Sequence, residues 1–218
     1  MGKQRIFNSA GGPLPTIAAD RPLIVCDVDE VVLGFVAGLD QWLSAQDLWL
    51  ARDGFALNGN IRHKTGQAVE TSEVRQLLHG FFAERAHDLA PIDGAVDALN
   101  SMEDRATIVF LSNLPEASSQ ARRDNLDQLG LTQPLIVNEG PKGPALSTLS
   151  AGLDFASVFL DDSPSNITSA LENVPHMEVI HFVADDGFRD QISPMAGVKL
   201  FTGDWRDVAR YISAEIFT

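Results

Sequence analysis

The chain has 218 residues, a length that fits one large domain or one domain with a smaller insertion. Its formal net charge of -14 repels nucleic-acid phosphates and anionic membranes, so neither is expected as a partner. The single cysteine, Cys26, excludes an intrachain disulfide, and the sequence shows no membrane span or signal peptide. These features predict a soluble, cytoplasmic protein.

Residues 1–21 are expected to form a loosely attached extension, because glycines and prolines interrupt them. Short apolar runs follow at 23–26, 107–111, 135–137, 157–160, 178–183 and 198–201. Segments with helical character lie between most of them, at 92–102, 117–129, 144–149 and 164–172. This alternation predicts an α/β fold, a three-layer sandwich with a mainly parallel, Rossmann-like sheet. Residues 22–32 and 92–218 would form this core.

The first apolar run ends in two carboxylates, Asp27 and Asp29. Side chains two residues apart share a face if the extended conformation continues, so both could reach one site. One carboxylate can attack phosphorus and form an acyl phosphate, while the other protonates the leaving oxygen. The alternative is that the two aspartates cap the next helix and shape a turn.

Residues 33–91 separate the first two runs and are predicted to form an inserted, mainly helical cap. One helical stripe contains Phe35, Leu39, Trp42, Leu43 and residues 46–50, and another contains Val74, Leu77, Leu78, Phe81 and Phe82. Trp42, Trp49, Phe81 and Phe82 are expected to form the core of this unit, and a ligand cage is the alternative. The pair Asn58-Gly59 between the stripes favours a hairpin.

The cap contains one basic cluster, Arg62-His63-Lys64. Arg62 and Lys64 are candidates for substrate recognition, because they could bind a second anionic group. A solvated basic surface is the favoured alternative, and His63 has no assigned role.

Polar residues also follow three later runs. Ser112 and Asn113 could hold a phosphoryl oxygen, although an isolated pair of this kind is more typical of a helix N-cap or turn. Glycines and prolines flank Lys142 and would restrict the loop, so that the ammonium group points in one direction. The alternative is a solvated surface lysine. The adjacent residues Asp161 and Asp162 could bind a hard divalent cation. The alternative is that they belong to an acidic loop that caps the next helix.

Together these residues would solve a problem of charge. A carboxylate 4 Å from a phosphate dianion meets a repulsion of about 8 kcal/mol at an effective dielectric constant near 20. One Mg²⁺ held by Asp27 and the pair Asp161-Asp162, with Lys142 beside it, would offset this repulsion.

The four motifs, in this order, resemble those of the haloacid dehalogenase-like superfamily of phosphohydrolases. The segment Asp27-Val28-Asp29-Glu30-Val31 is similar to the first motif of that superfamily, and the resemblance extends over nearly the whole chain from residue 23. It implies that Asp27 is the nucleophile and Asp29 the acid/base. The second aspartate is typical of the phosphatases of the superfamily and not of its dehalogenases.

The resemblance also implies roles for the other motif residues. Ser112, Asn113 and Lys142 would bind the phosphate, and the metal ligands would come from Asp27, Asp29, Asp161 and Asp162. Comparison with the fourth motif indicates Asp162, rather than Asp161, as the direct ligand. Asn166 stands where many members have an acid, so it is expected to bind a metal-bound water or Lys142.

The sequence thus predicts a Mg²⁺-dependent phosphomonoester hydrolase that forms an aspartyl-phosphate intermediate. Its substrate would be a small soluble metabolite, either a sugar phosphate or a nucleoside monophosphate. Two alternatives remain at this point, a phosphomutase and a binding or regulatory module with little turnover.

Overall fold

A seven-stranded sheet forms the centre of the fold. The computed structural model describes residues 5–217, which form nine strands, eight α-helices and a short 3-10 helix (Glu116–Ser118). The strands are β1 (Arg5–Asn8), β2 (Leu23–Cys26), β3 (Leu48–Leu50), β4 (Ile61–His63), β5 (Thr107–Ser112), β6 (Leu135–Glu139), β7 (Ser157–Asp161), β8 (Glu178–Phe182) and β9 (Leu200–Thr202). The helices are α1 (Phe35–Ser44), α2 (Thr71–Arg85), α3 (Ala95–Met102), α4 (Ser119–Gln128), α5 (Gly143–Leu149), α6 (Pro164–Asn173), α7 (Asp186–Arg189) and α8 (Trp205–Glu215).

The sheet has the strand order β1-β6-β5-β2-β7-β8-β9, and its strands are parallel except for β1. Both faces of the sheet are covered. On β2, Leu23 and Val25 belong to the core that includes α5 and α6, whereas Ile24 and Cys26 belong to the core that includes α3, α4 and α8. A strand that is buried on both faces needs a continuous run of apolar residues. The run at residues 23–26 is the pattern from which β2 was predicted. The predicted α/β fold is confirmed.

The N-terminal segment is attached more firmly than its composition predicts. Strand β1 pairs antiparallel with β6 at the edge of the sheet, with Arg5 opposite Glu139. The Arg5 side chain also contacts Glu116 at 2.6 Å. Residues 5–8 therefore belong to the core sheet, because they complete the free edge of β6. Residues 1–4 of the expected extension and residue 218 lie outside the described part of the chain.

The inserted segment contains α1, α2 and the two-stranded β3–β4 hairpin. Its two connections to the core run side by side: the Gly34 N–H donates to the Ala90 carbonyl, and the Ile92 N–H donates to the Val32 carbonyl. Within the unit, Phe81 is fully buried and packs edge-on against Trp42, with ring centroids 5.9 Å apart.

The expected helical stripe over residues 46–50 is wrong. Helix α1 ends at Ser44, and residues 48–50 form strand β3 instead of continuing the helix. Leu48 and Leu50 are buried, but Trp49 between them is 40% exposed, because alternate side chains of a strand point to opposite faces. Trp49 is therefore not part of the core of the cap, contrary to expectation.

Two helices lie outside the predicted segments. Helix α7 is a single short turn, whereas α8 buries Trp205, Val208 and Ile212 at helical spacing. None of the helices within residues 5–217 combines the length and apolar character needed to cross a membrane.

Candidate active site

The carboxyl ends of four parallel strands carry the polar residues that the sequence analysis singles out. Asp27 follows β2, Ser112 ends β5 and Asp161 ends β7. Lys142 follows β6 and immediately precedes α5. Because β2 lies between β5 and β7, Asp27 is at the centre of this group. Open parallel sheets commonly bind ligands at this edge.

Lys142 is fully buried between two carboxylates. Its Nζ is 2.7 Å from Asp27 Oδ1 and 2.6 Å from Asp161 Oδ2. Burial by itself would lower the pKa of Lys142, but the charges of Asp161 and Asp27 outweigh it and raise the pKa. The ammonium group is therefore charged and held in place. The alternative of a solvated lysine is wrong.

The adjacent residues Asp161 and Asp162 have different environments. The Asp161 carboxylate is fully buried and binds Lys142, the Ser163 N–H and the Asn166 side-chain amide. Asp162 lines a cavity, and no hydrogen bond to its carboxylate is found within residues 5–217. Burial, together with the charges of Asp161 and Asp27, raises the pKa of Asp162 well above its usual range. Asp162 is thus the carboxylate of the pair that is available to a ligand.

Asp27, Asp161 and Asp162 form a compact group, in which one oxygen from each lies within 4.8 Å of the others. Each pair of charges at that distance repels by about 3 kcal/mol at an effective dielectric constant of 20. Lys142 compensates one of the three charges. The oxygen donors and the remaining negative charge fit a hard divalent cation, which Asp27 and Asp162 would hold.

The side chain of Asp29, also expected among the metal ligands, is not part of this group. Its Oδ1 accepts a hydrogen bond from Nη2 of Arg122 at 2.5 Å. Arg122 belongs to α4 and its side chain is fully buried, whereas the Asp29 side chain is 16% exposed. Asp29 lines the same cavity as Asp27, so the two carboxylates face one space. An arginine fixed in this way orients the Asp29 carboxylate.

Ser112 and Asn113 differ in their positions at the site. The Ser112 hydroxyl is buried and has no hydrogen-bond partner within the described residues. An unsatisfied buried hydroxyl at the end of β5, the strand next to β2, is suited to a ligand oxygen. Asn113 lines the cavity and donates to the Gly140 carbonyl at 2.8 Å, which ties the loop after β5 to the loop after β6.

Asn166 supports the acidic group from behind. Its side-chain amide lies 3.1 Å from Oδ1 and 3.2 Å from Oδ2 of Asp161. It was expected to bind Lys142 or a metal-bound water. In the structure Asn166 is linked to Lys142 only through Asp161. Asn166 also lines the cavity, and its contact with a metal-bound water stays a prediction.

The cavity has a volume of about 470 Å³ and is lined by both core and cap. Its polar lining includes Asp27, Asp29, Asn113, Asp162, Ser163, Ser165 and Asn166. Phe35, Leu78 and Phe82 of the cap provide an apolar wall. The cap therefore contributes directly to the space beside the carboxylates.

The structure does not bring the expected specificity residues Arg62 and Lys64 to this cavity. Arg62 lies on β4, where its Nη2 is 2.7 Å from Asp53 Oδ2, and its guanidinium lies over the Trp49 ring. Lys64 is exposed and pairs with Asp47. Both side chains are engaged on the hairpin, as the alternative of a basic surface predicts.

Two further residues contribute to the site without an evident sequence signature, Arg122 and Glu30. Arg122 lies four residues before Leu126, so both are on the buried face of α4. A charged residue on the apolar face of a predicted helix is the sequence feature that could have identified it. Glu30 accepts hydrogen bonds from the N–H groups of Val36 and Asp185, so it joins α1 to the loop after β8. Burial raises the pKa of Glu30 to about 7.

Comparisons with known proteins agree with the architecture. No family model and no curated protein match the sequence. Among solved structures, a haloacid dehalogenase-like family hydrolase from Streptococcus pneumoniae is similar with a TM-score of 0.60 and 11% identity, over 88% of this chain and 98% of that one.

Two further solved structures have the same fold. A protein described as a HAD-hydrolase from Bacillus subtilis, bound to magnesium, has a TM-score of 0.59 and 13% identity, over 90% of this chain and 99% of that one. An L-2-haloacid dehalogenase has a TM-score of 0.57 and 12% identity, over 88% of this chain and 99% of that one. The resemblance predicted from the motifs is thus confirmed at the level of the fold, whereas the chemistry must be argued from the site.

Proposed function

We propose that this chain, which has the haloacid dehalogenase-like fold, is a Mg²⁺-dependent phosphomonoester hydrolase. The observation that carries the proposal is the fully buried Lys142 clamped between Asp27 and Asp161, with Asp162 free to bind a ligand beside them. This arrangement supports the proposal, because a fixed positive charge and a carboxylate that could hold a cation both lie next to Asp27. Phosphoryl transfer requires this kind of charge compensation.

The proposed reaction has two steps, and Asp27 is the nucleophile in the first. A carboxylate oxygen of Asp27 forms a bond to phosphorus as the ester P–O bond breaks, and Asp29 gives its proton to the departing alcohol. Asp29 then takes a proton from water, whose oxygen attacks phosphorus. The P–O bond to Asp27 breaks, and inorganic phosphate leaves.

The remaining residues would stabilise the phosphoryl group. Lys142 and the unpartnered Ser112 hydroxyl would bind its oxygens, and Asn113 would line its site. Mg²⁺ held by Asp27 and Asp162 would supply additional positive charge where negative charge develops. The second carboxylate, Asp29, favours phosphate ester hydrolysis over dehalogenation, because an alcohol leaving group needs a proton and a halide does not.

The test is a panel of phosphomonoesters assayed with Mg²⁺, after chelation and after Mg²⁺ is restored. We expect hydrolysis that chelation abolishes and Mg²⁺ restores. Asp27→Asn should lower turnover at least about a thousandfold, because an amide cannot act as the anionic nucleophile. Asp154→Asn, which changes an exposed aspartate outside the site, is the matched control and should have wild-type activity.

Three outcomes would contradict the proposal. Activity that survives exhaustive chelation would exclude the metal, and an active Asp27→Asn would exclude the covalent step. Phosphate that gains no oxygen from ¹⁸O-labelled water, while the phosphoryl group moves to a second hydroxyl, would identify a phosphomutase.

A further inference from the structure

The cap presents an apolar surface with two aromatic rings to the space beside the carboxylates. Phe35 at the start of α1 and Phe82 on α2 have ring centroids 5.8 Å apart and ring planes inclined by 32°. Phe82 is only 8% exposed and also packs against Phe81, which fixes its ring. Leu78, one turn before Phe82 on the same helix, lines the same cavity.

A second space extends this apolar region. A cavity of about 130 Å³ shares Phe35 and Asp162 with the main one, so the Phe35 ring borders both. Its other walls include Phe55, Leu57 and Phe188. The organic part of a ligand whose phosphate lies at Asp27 would therefore meet aromatic and aliphatic side chains on the cap side.

The charges of the described residues disfavour a second anionic group on the ligand. Three aspartates line the main cavity, and its described lining includes no lysine or arginine. The nearby cations are already paired: Lys142 with Asp27 and Asp161, and Arg122 with Asp29. A carboxylate or second phosphate inside this cavity would face the aspartates, with no lysine or arginine among the described lining residues to pair with it.

We propose that the substrate is a phosphomonoester whose leaving group carries a planar aromatic ring, such as a nucleobase or an aryl group, and no second negative charge. This inference rests on the proposed function and narrows it. The ring would pack against Phe35, Leu78 and Phe82, because aromatic surfaces combine a large buried area with favourable ring–ring geometry. A bare sugar phosphate lacks this surface.

Matched pairs of esters test the inference without changing the reactivity of the leaving group. We expect kcat/KM to be at least about tenfold higher for 2-phenylethyl phosphate than for propyl phosphate, and for nucleoside 5′-monophosphates than for ribose 5-phosphate. Each pair releases a primary alcohol, so the difference reports binding of the ring. Phe82→Ala should remove most of this preference.

If Phe82→Ala fails to fold, two further variants, Leu78→Lys and the control Trp42→Phe, test the same cavity wall. Leu78→Lys places a cation on the half-buried wall, and it should raise the relative kcat/KM for 3-phosphoglycerate over glycerol 3-phosphate by about fivefold or more. Trp42→Phe is the control, because Trp42 belongs to the same aromatic cluster but does not line the cavity. It should leave the preference for aromatic esters unchanged.

The outcomes separate this inference from the proposed function. Equal kcat/KM within each matched pair, in a wild-type enzyme that hydrolyses both members, would overturn the aromatic substrate class alone. A preference for 3-phosphoglycerate in the wild type would do the same. Absence of Mg²⁺-dependent hydrolysis across the whole panel would overturn the proposed function, and the substrate class with it.

Discussion

Asp161 and Asp162 are neighbours in the chain but have different partners, and this difference predicts different roles in metal binding. Three donors already occupy Asp161, whereas Asp162 faces the cavity. Asn166→Ala should raise the Mg²⁺ concentration needed for half-maximal activity by about tenfold, because Asn166 only supports Asp161. Asp162→Ala should raise it by a larger factor. Titration of activity with Mg²⁺ measures both, and the reverse order would show that the ligands are misassigned.

Arg122 is expected to position Asp29 for proton transfer. Arg122→Met should lower kcat for an alkyl phosphate by about tenfold or more, because a misplaced carboxyl cannot protonate the leaving oxygen. The effect should be smaller for 4-nitrophenyl phosphate, whose leaving group departs without a proton. Arg123→Met on the same helix is the control, since Arg123 pairs with Asp127 and not with the site. Equal losses for both esters in Arg122→Met would indicate a purely structural role.

The sequence identified the site residues that follow apolar strands, because such strands end at one edge of the sheet. It did not identify Arg122, which reaches Asp29 from a helix 93 positions away in the chain. A contact of this kind depends on the packing of α4 against the sheet, and helical periodicity alone cannot specify its partner. The same limit explains Arg62 and Lys64, whose acidic partners on the hairpin were not foreseen.

At the level of elements, Lys142 is placed by the close packing of two helices. A Cβ added to Gly143 would lie 2.2 Å from the Ser169 carbonyl oxygen, so α5 approaches α6 more closely than any side chain at Gly143 would permit. The Gly143 N–H also donates to the Ser169 hydroxyl. Sequence analysis attributed the glycine to loop restriction. The structure gives a second reason, which is that the glycine holds the residue after Lys142 against α6.

The last helix begins at a charged N-cap, and this predicts a defined pH dependence of stability. The Asp204 carboxylate accepts hydrogen bonds from the Arg206 side chain and backbone N–H, which lower its pKa to about 2. Because the folded pKa is below the ordinary value of 3.8, ionised Asp204 stabilises the protein above pH 3.8. This contribution is lost as the pH falls toward about 2.

Asp204→Asn should therefore be less stable than the wild type at neutral pH. The difference between the two free energies of unfolding should stay constant from pH 7 to about pH 4 and narrow only below that. Urea denaturation at several pH values measures it. A difference that stays constant down to pH 2 would show that the Asp204 carboxyl has the same pKa in the folded and unfolded states.

For the whole molecule, the positions of the parallel strands along the chain were predictable because each of them is a continuous apolar run. The antiparallel edge strand β1 was not, since its four residues, one exposed and three half-buried, lie before a glycine-rich segment and carry little pattern. In the cap, residues 48–50 fit a helical stripe as well as a strand, and only pairing with β4 decides between them. Short elements that depend on a partner strand are those that a single sequence specifies least.

Mg²⁺ is expected to stabilise the whole fold, because it relieves repulsion within the acidic group. At a Mg²⁺ concentration one hundred times its Kd, the gain is about 2.7 kcal/mol. For a chain of this length, this corresponds to a rise in Tm of about 5 to 10 °C. Asp162→Asn should unfold at a higher temperature than the wild type without metal, and its Tm should respond little to Mg²⁺. Differential scanning calorimetry with and without chelator measures both effects, and equal responses would contradict the proposed ligand.

The position of Cys26 allows local unfolding at the centre of the sheet to be followed by thiol labelling. The thiol lies at the end of the central strand β2, fully buried and next to Asp27, and burial raises its pKa well above the usual range. A thiol reagent can reach the Cys26 side chain only when the structure around the end of β2 unfolds locally. Because the chain has one cysteine, the labelling rate under native conditions reports this event alone, so any ligand that closes the site should slow the labelling.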